Sequence, residues 1–543
     1  MRDGKKIKAF VIESGKNIFS AKLDRTFLWN TLEVFLVLAL AALPLTYATP
    51  FFRDFAWVWE GAYRLLIGQT PYKDFGMPVG PGILILPYVF FKLNGPSFYS
   101  LKLAAAVVSL IALLSFNIYL RFFQVRRSIR TSATLLFGLT YTTSSSLPWY
   151  NQTAFAFELA GITCLLGYLL PVNELRRSKL LRLLLLNMGG LFLALAITTK
   201  QDYGGIGWVF ALILCSAEAY RQRNIYLLAQ PFLVSLLFIV IIHLPHIGND
   251  FFYWYNYGQP PHTSKLTLDI LKFRPALSRT QLAYFLVVAY LTWFLRNSQF
   301  VINRCPHRLT FALLTLGLIV QSYITATTSS RTQDSATYFF APTIAFILSD
   351  ISRFLRVRQT AYLNFFIIPL LVMFVYIPSP FLFVRNLMNQ SPLGMHETCA
   401  NRTCIRPDLA GLNAFGSQYL PVETVKGINE ARKFLNDSEK ECSVLNMTEL
   451  TPLIKEWNFT PCTGFPLWYD YKVSLFSREV KKLVHDIKLH RFELVLYQDT
   501  HQVISPFPPN IRYALQKEYE LRLVFLAPRK ETPIEVYTPR KSN

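Results

Sequence analysis

Charged side chains with chemical potential gather in three short stretches of this 543-residue chain. The first runs through Arg53-Asp54-Phe55, Gly68-Gln-Thr-Pro-Tyr-Lys-Asp-Phe75 and Gly80-Pro-Gly82, and offers Asp54 and Asp74. A carboxylate held where an apolar medium meets water can take a proton as a general base or hold a metal ion. It can also do neither: Asp54 has Arg53 beside it for an ion pair and a helical stretch after it to cap. The second stretch, Thr198-Thr-Lys-Gln-Asp-Tyr-Gly-Gly205, presents Lys200. Such a cation can bind a lipid phosphate or simply snorkel to the interface. The third, Thr328 to Tyr338, presents Arg331, which suits bidentate phosphate binding and has Asp334 as a local partner. An aromatic run, Phe251 to Tyr257, can stack on sugar or lipid, although an interfacial belt is the simpler account.

These groups are carried by a chain that is 52% hydrophobic and 15% aromatic but only 16% charged. Soluble domains carry about 25% charged residues. Disorder is excluded by the aromatic and apolar content. The net charge of +22 comes from short basic tracts between apolar runs, the pattern of cytoplasmic loops, and no nucleic-acid recognition module is visible. Helices that cross a bilayer need about 20 mostly apolar residues. Spans are expected near 28–49, 102–121, 131–147, 154–171, 181–199, 204–220, 225–243, 281–295, 309–327, 336–351 and 361–379. Basic residues crowd the N-terminal tract (Arg2, Lys5, Lys6, Lys8) and alternate loops (Arg121 to Arg130, Arg176 to Arg182, Arg221 and Arg223), which puts the N-terminus in the cytoplasm. Eleven spans then leave the C-terminal tail outside. The acidic residues Glu33, Glu158, Glu218 and Asp350 read as lying toward span ends.

The expected organisation is a cytoplasmic segment 1–27, a membrane module 28–379 with an outer loop 50–101, and an extracytoplasmic α/β domain 380–543. Within the loop, Pro81–Leu93 is apolar but too short to cross, and reads as an interfacial or re-entrant helix. In the tail, helical spacing at Val422–Leu435, Ser477–Leu489 and Asn510–Glu518 alternates with strand candidates Cys442–Leu445, Phe492–Tyr497, Leu521–Phe525 and Ile534–Tyr537. The fold class is therefore an all-α polytopic membrane protein with a C-terminal α/β domain that has its own core. Cys399, Cys404, Cys442 and Cys462 all fall in the tail, and an even number outside the cell fits disulfides. Three pairings exist, the sequence-near ones Cys399–Cys404 and Cys442–Cys462 being preferred over the other two and over free thiols. Glycosylation-type sequons at Asn151, Asn389, Asn401, Asn436, Asn446 and Asn458 all lie on the expected outside.

Taken in this order, the motifs resemble the polyprenyl-phosphate-sugar-dependent glycosyltransferases of the GT-C superfamily, among them the protein mannosyltransferases and the bacterial glycosyltransferase 39-like proteins. The resemblance rests on Arg53-Asp54-Phe55, Gly68 to Phe75, Gly80-Pro-Gly82, Lys200-Gln201 and Arg331…Asp334, and spans roughly residues 25–380. It implies that Asp54 is the catalytic acidic residue, that Asp74 is a second acidic position, and that Lys200 and Arg331 lie near the donor's phosphate. Phe55 stands where many members carry a second acidic residue, and Val79-Gly80-Pro81 where some carry Lys-Pro-Pro. The implied donor is a sugar on an isoprenoid phosphate, and the implied acceptor is a glycan, lipid or protein hydroxyl. A divalent metal stays open as a cofactor; nucleic acid is not a partner. The expected location is the bacterial plasma membrane, or otherwise the endoplasmic reticulum. Rival readings are a polysaccharide polymerase or ligase using isoprenoid-diphosphate glycans, a flippase or transporter of lipid-linked sugars, and a non-enzymatic receptor.

The topology has a direct test. With the native tail cysteines replaced, a single cysteine introduced into the tail should react with a membrane-impermeant reagent applied to intact cells. Protection of that cysteine reverses the assigned orientation.

Overall fold

In hydrocarbon every backbone N–H and C=O needs an internal partner, so apolar runs fold as helices. The computed structural model describes residues 25–46, 53–144, 147–170, 178–248, 250–255, 279–297, 307–328, 337–354, 403–416, 418–435, 442–467, 469, 471, 474–498, 508–528 and 532–540. Its helices, in order, are α1 (Arg25–Thr46), α2 (Arg53–Leu66), α3 (Gly82–Asn94), α4 (Phe98–Phe122), α5 (Arg127–Ser144), α6 (Tyr150–Leu169) and α7 (Lys179–Thr199). They continue with α8 (Gln201–Gln222), α9 (Tyr226–His243), α10 (Phe251–Trp254), α11 (Arg279–Asn297), α12 (Arg308–Thr328) and α13 (Ala341–Phe354). Helices occupy ten of the expected spans, and the last, 361–379, lies outside the described residues. Among the described residues six helices are long and apolar enough by composition to cross a membrane: α1, α4, α6, α7, α8 and α9. Residues 82–94 form a separate short helix, α3, as the length of that apolar run requires.

Charge divides the two ends of the bundle. At one end Glu33 of α1, almost fully buried, receives hydrogen bonds from Arg121 (2.7 Å), Arg130 (2.7 Å) and the Thr131 hydroxyl (3.2 Å). Arg308 pairs with Asp350, and Arg221 with Glu218 at 2.5 Å, at the same basic end. The other end carries α2, α3 and the tail. Glu158 corrects its expected placement: it is the ninth residue of the 20-residue α6 and is fully buried, in mid-span.

The tail adds β2 (Cys404–Ile405), β3 (Leu420–Pro421), α14 (Val422–Arg432), β4 (Val444–Met447), α15 (Leu453–Glu456), β5 (Phe465–Pro466), α16 (Ser477–Lys488), β6 (Leu494–Gln498), α17 (Pro509–Glu518), β7 (Tyr519–Leu526) and β8 (Pro533–Pro539). Four strands form one sheet in the order β4-β6-β8-β7; β4 and β6 are parallel, the other pairs antiparallel. Alternate residues of a strand face opposite ways. Leu445, Met447, Val495 and Tyr497 therefore pack with α16 and α17, through Leu483, Ile487, Ile511 and Leu515. Val444, Leu494, Leu496 and Val536 share a different cluster with Val425 and Ile428 of α14, and with Trp57, Trp59, Phe75 and Leu84 of the loop beside the bundle. The tail is thus independent on one face only, and the other face is completed by residues 55–101.

Cys442 and Cys462 are disulfide-bonded. Cys404 is disulfide-bonded as well, and its expected partner Cys399 lies outside the described residues. Two of the sequon asparagines are taken up by packing: Asn151 is buried in α6, and the Asn446 amide donates to the Leu450 carbonyl at 3.0 Å.

The Glu33 cluster gives the first structural test. Removing the shared carboxylate strands Arg130, whose side chain is only 10% exposed. Breaking a buried pair in this way costs about 3–5 kcal/mol. Glu33→Ala should lower the melting temperature in detergent far more than Arg121→Ala, whose side chain is 45% exposed.

Candidate active site

The loop between α2 and α3 is built around Tyr72, a non-glycine residue at φ +66°. That conformation is costly and persists only where the surroundings enforce it. Here the Tyr72 hydroxyl donates to the Val79 carbonyl at 2.7 Å, and its ring meets Phe251 edge-on at 5.0 Å. Asp74 closes the same turn: its carboxylate accepts from the Thr70 N–H at 2.7 Å. Its carbonyl accepts from the Gly464 N–H at 2.6 Å, and the next residues form β1 (Phe75–Gly76), paired in parallel with β5 of the tail.

Arg64 locks α2 to this seam. It donates twice to Glu60 (2.8 and 2.6 Å) and once to the Cys462 carbonyl (3.0 Å), all buried. Burial pushes the Glu60 carboxyl above its ordinary range, and the Arg64 charge opposes that shift. Thr451 of the tail adds a hydrogen bond to the Ala56 carbonyl at 2.8 Å. Asp54 lies in the first turn of α2, three residues before Trp57.

Lys200 sits at the junction of two helices, capping the end of α7 and the start of α8 in an extended conformation. Its ammonium is 3.2 Å from Asp202 and lies over the rings of Tyr203 (4.8 Å) and Tyr150 (5.2 Å). Tyr150 in turn meets Trp57 of α2, with ring centroids 6.0 Å apart. A chain of contacts therefore runs from α2 through Trp57 and Tyr150 to Lys200. The glycines of Gly80-Pro-Gly82 allow the loop to descend onto this junction. A Cβ on Gly80 would lie 1.7 Å from the Thr198 carbonyl oxygen, and one on Gly82 would lie 2.7 Å from the Thr199 hydroxyl. The first and second motif stretches, more than 100 residues apart, are thus in direct contact.

Arg331 lies outside the described residues, so the described geometry joins α2, Asp74 and Lys200 alone. Part of the aromatic run, Phe251 with Trp254 and Tyr255, is an internal prop, while Phe252 is exposed and residues 256–257 lie outside the described residues. Phe251, Trp254 and Tyr255 are buried; Trp254 covers Gly76 so closely that a Cβ there would be 2.2 Å from its ring, and Tyr255 donates to the Ile197 carbonyl at 3.1 Å. Lys102 is a further buried cation, in the first turns of α4, and the sequence motifs did not single it out. A lone cation inside the apolar run that starts at Leu101 was the available signal.

Two glycines test the fit. Gly80→Ala pushes a methyl into backbone, and overpacking of this kind costs typically 1–3 kcal/mol. Gly205→Ala, one turn into α8, meets no atom within 4 Å and should be neutral or slightly stabilising. Thermal unfolding in detergent should separate the two.

No protein-family profile and no curated sequence matches the chain. Solved structures do. ArnT from Cupriavidus metallidurans, bound to undecaprenyl phosphate, superposes with a TM-score of 0.52 at 12% identity, over 95% of this chain and 98% of that one. The oligosaccharyltransferase AglB from Archaeoglobus fulgidus, in complex with an inhibitory peptide and a dolichol-phosphate, gives 0.48 at 10% identity, over 95% and 75%. The match to the first, over nearly the whole of both chains, identifies the architecture: this chain shares the fold of ArnT.

Proposed function

We propose that this protein is a membrane glycosyltransferase that moves a sugar from a polyprenyl-phosphate donor to an acceptor hydroxyl, with inversion, on the extracytoplasmic face. The observation that carries the proposal is the seating of the Lys200 junction against both the Gly80-Pro-Gly82 loop and the helix that begins with Arg53-Asp54, at one end of a GT-C bundle. Asp54 is assigned as general base, Lys200 and Arg331 as phosphate ligands, and Asp74 as a residue that shapes the loop. Asp74 has reason for that lesser role, because its carboxylate is engaged by the Thr70 N–H.

In the reaction Asp54 takes the proton of the acceptor hydroxyl. The oxygen attacks the anomeric carbon from the face opposite the phosphate, and the carbon–oxygen bond to the phosphate breaks. The departing phosphomonoester gains negative charge, which fixed cations stabilise in a site partly closed to water. Lys200 is suited to this because Tyr150 and Tyr203 hold its ammonium in place, and its carboxylate partner, Asp202 at 3.2 Å, is about one-third exposed. Residues 28–379 would form the catalytic module, with 1–27 on the cytoplasmic side and 380–543 outside. The concentration of arginines at the end of the bundle away from the tail supports that orientation. The sugar and the acceptor are set by pocket details of this site.

The test is transfer from a purified polyprenyl-phosphate sugar. Asp54→Asn keeps size and most hydrogen bonding but cannot accept a proton at neutral pH. Loss of a general base costs typically 10²–10⁴-fold in rate. Asp54→Asn should therefore insert and fold normally with transfer lowered by about that factor, and Asp74→Asn should be milder. Lys200→Gln should weaken the donor complex by about 1.5–3 kcal/mol, one charged hydrogen bond. Full activity in Asp54→Asn would falsify the assignment and bring the transporter reading forward.

A further inference from the structure

A carboxylate in the middle of a membrane bundle is expensive, and such residues are retained for a purpose with a named partner. Glu158 is in that position. It is fully buried in mid-α6, beside a small cavity lined by Tyr119, Phe155, Leu314 and Leu318, and it takes no part in the chemistry proposed above. Its Oε2 accepts from the Gln321 amide of α12 at 2.6 Å. The same amide nitrogen lies 3.5 Å from the Tyr203 carbonyl of α8. Gly207, one turn further along α8, packs on the Glu158 side chain so closely that a Cβ would be 2.3 Å from its Cγ. Three helices therefore meet at one carboxylate.

Two of these helices, α8 and α6, lead to the candidate site. Tyr203 is buried directly beneath the Lys200 ammonium, so the height of the first turn of α8 sets the height of that cation. α6 begins with Tyr150, the second ring under Lys200. Tyr150 is eight residues before Glu158, or about 12 Å along a helix. A hydrocarbon side chain at position 158 would fill the space but would leave the Gln321 amide without its acceptor, and the register of α12 against α8 would lose its polar key.

We propose that Glu158 is a positioning residue for the phosphate site. Through the Gln321 amide it holds α12 against the start of α8, the helix that carries Lys200. The inference rests on the reading of Lys200 as a phosphate ligand.

The experiment measures binding of a sugar-free polyprenyl phosphate to the full-length protein in lipid nanodiscs, together with KM and kcat for transfer and the melting temperature. Glu158→Leu and Gln321→Leu should each raise the dissociation constant and KM by about two- to thirty-fold, the range of couplings carried through packed networks, and lower kcat as well, because the same ammonium faces the departing phosphate. Glu158→Gln keeps an acceptor for the Gln321 amide and should bind nearly as wild type. Combining Glu158→Leu with Lys200→Gln should cost less than the sum of the two, because both act at one ammonium. If Glu158→Leu does not fold, Gln321→Leu, which leaves the carboxylate in place, carries the same expectation. Wild-type binding in the folded leucine variants, equal losses in Glu158→Gln and Glu158→Leu, or strict additivity with Lys200→Gln overturns the proposal. Wild-type protein that does not bind the lipid phosphate, or Lys200→Gln that binds it normally, removes the reading of Lys200 beneath it. Loss in Lys200→Gln alone leaves that reading standing and refutes the role of Glu158.

Discussion

The constraint on which the site depends is that irregular backbone beside a membrane must find partners for its N–H and C=O groups. The motif residues of the first loop lie in just such a stretch, 67–81. Its backbone is satisfied from three directions. Locally, the Tyr72 N–H meets the Phe75 carbonyl and the Asp74 N–H meets the Thr70 carbonyl. From the tail, the Gly464 and Leu467 N–H groups reach the carbonyls of Asp74 and Gly76. From within the loop itself, the Tyr72 hydroxyl closes on Val79. The loop then needs no helix of its own, which leaves it free to lie against the Thr198–Lys200 junction. Without the tail, two of its carbonyls would lose their partners. The tail is therefore part of the site's scaffold, even though its sheet lies away from Lys200.

That dependence explains why the tail has two unlike faces. The face against α16 and α17 is closed by its own amphipathic helices. The face with Val444, Leu494 and Val536 is finished by Trp57, Trp59 and Leu84 of a segment more than 300 residues earlier. The disulfide between Cys442 and Cys462 ties the start of the sheet to the strand that pairs with the loop, and Cys462 also gives its carbonyl to Arg64. Closing a loop with a sequence separation of 20 contributes about 3 kcal/mol in the chain-entropy account. Glu60 and Arg64 have a different part. Arg64 offsets part of the desolvation of the Glu60 carboxylate, and another Arg64 N–H reaches across to the tail.

How far the sequence anticipated this follows from the range of each signal. Apolar runs and alternating periods are local, so the spans of the bundle within the described residues, the four strands of the main tail sheet and the three longer tail helices were legible within a few residues, while the two-residue strands and the short helix Leu453–Glu456 were not. The β1–β5 pairing was not. Two residues have no period, and Phe75 and Phe465 meet across most of the chain. Glu158 was misplaced because span ends were judged from hydropathy alone: α6 begins at Tyr150, earlier than the apolar run, with the polar residues Asn151, Gln152 and Thr153 buried in its first turn. Within the aromatic run, the inward packing of Phe251 and Trp254 could not be told from an interfacial belt in a string; only the closeness of Gly76 and Tyr72 shows it. Gly80 and Gly82 were noticed as a motif, but their physical meaning, the absence of a Cβ against Thr198 and Thr199, lies in a contact no local pattern contains.

Charge balance at Lys200 follows from its place between two helices. The start of α8 exposes backbone N–H groups and the positive end of a 22-residue helix dipole beside an ammonium. The negative end of the α7 dipole, at the same junction, offsets the α8 end and leaves the ammonium's own charge to be answered. Asp202 answers it, with one oxygen 3.2 Å from Lys200 and the other accepting from the Tyr203 N–H at 2.9 Å. The carboxylate thus engages two of the donors that a phosphate would use. It is about one-third exposed, so water screens its attraction and lowers the cost of turning it away. On the proposed function the donor's phosphodiester, with a single charge, would compete with that carboxylate on nearly equal terms, and the phosphomonoester that departs, with a second charge, would hold the positive site more strongly.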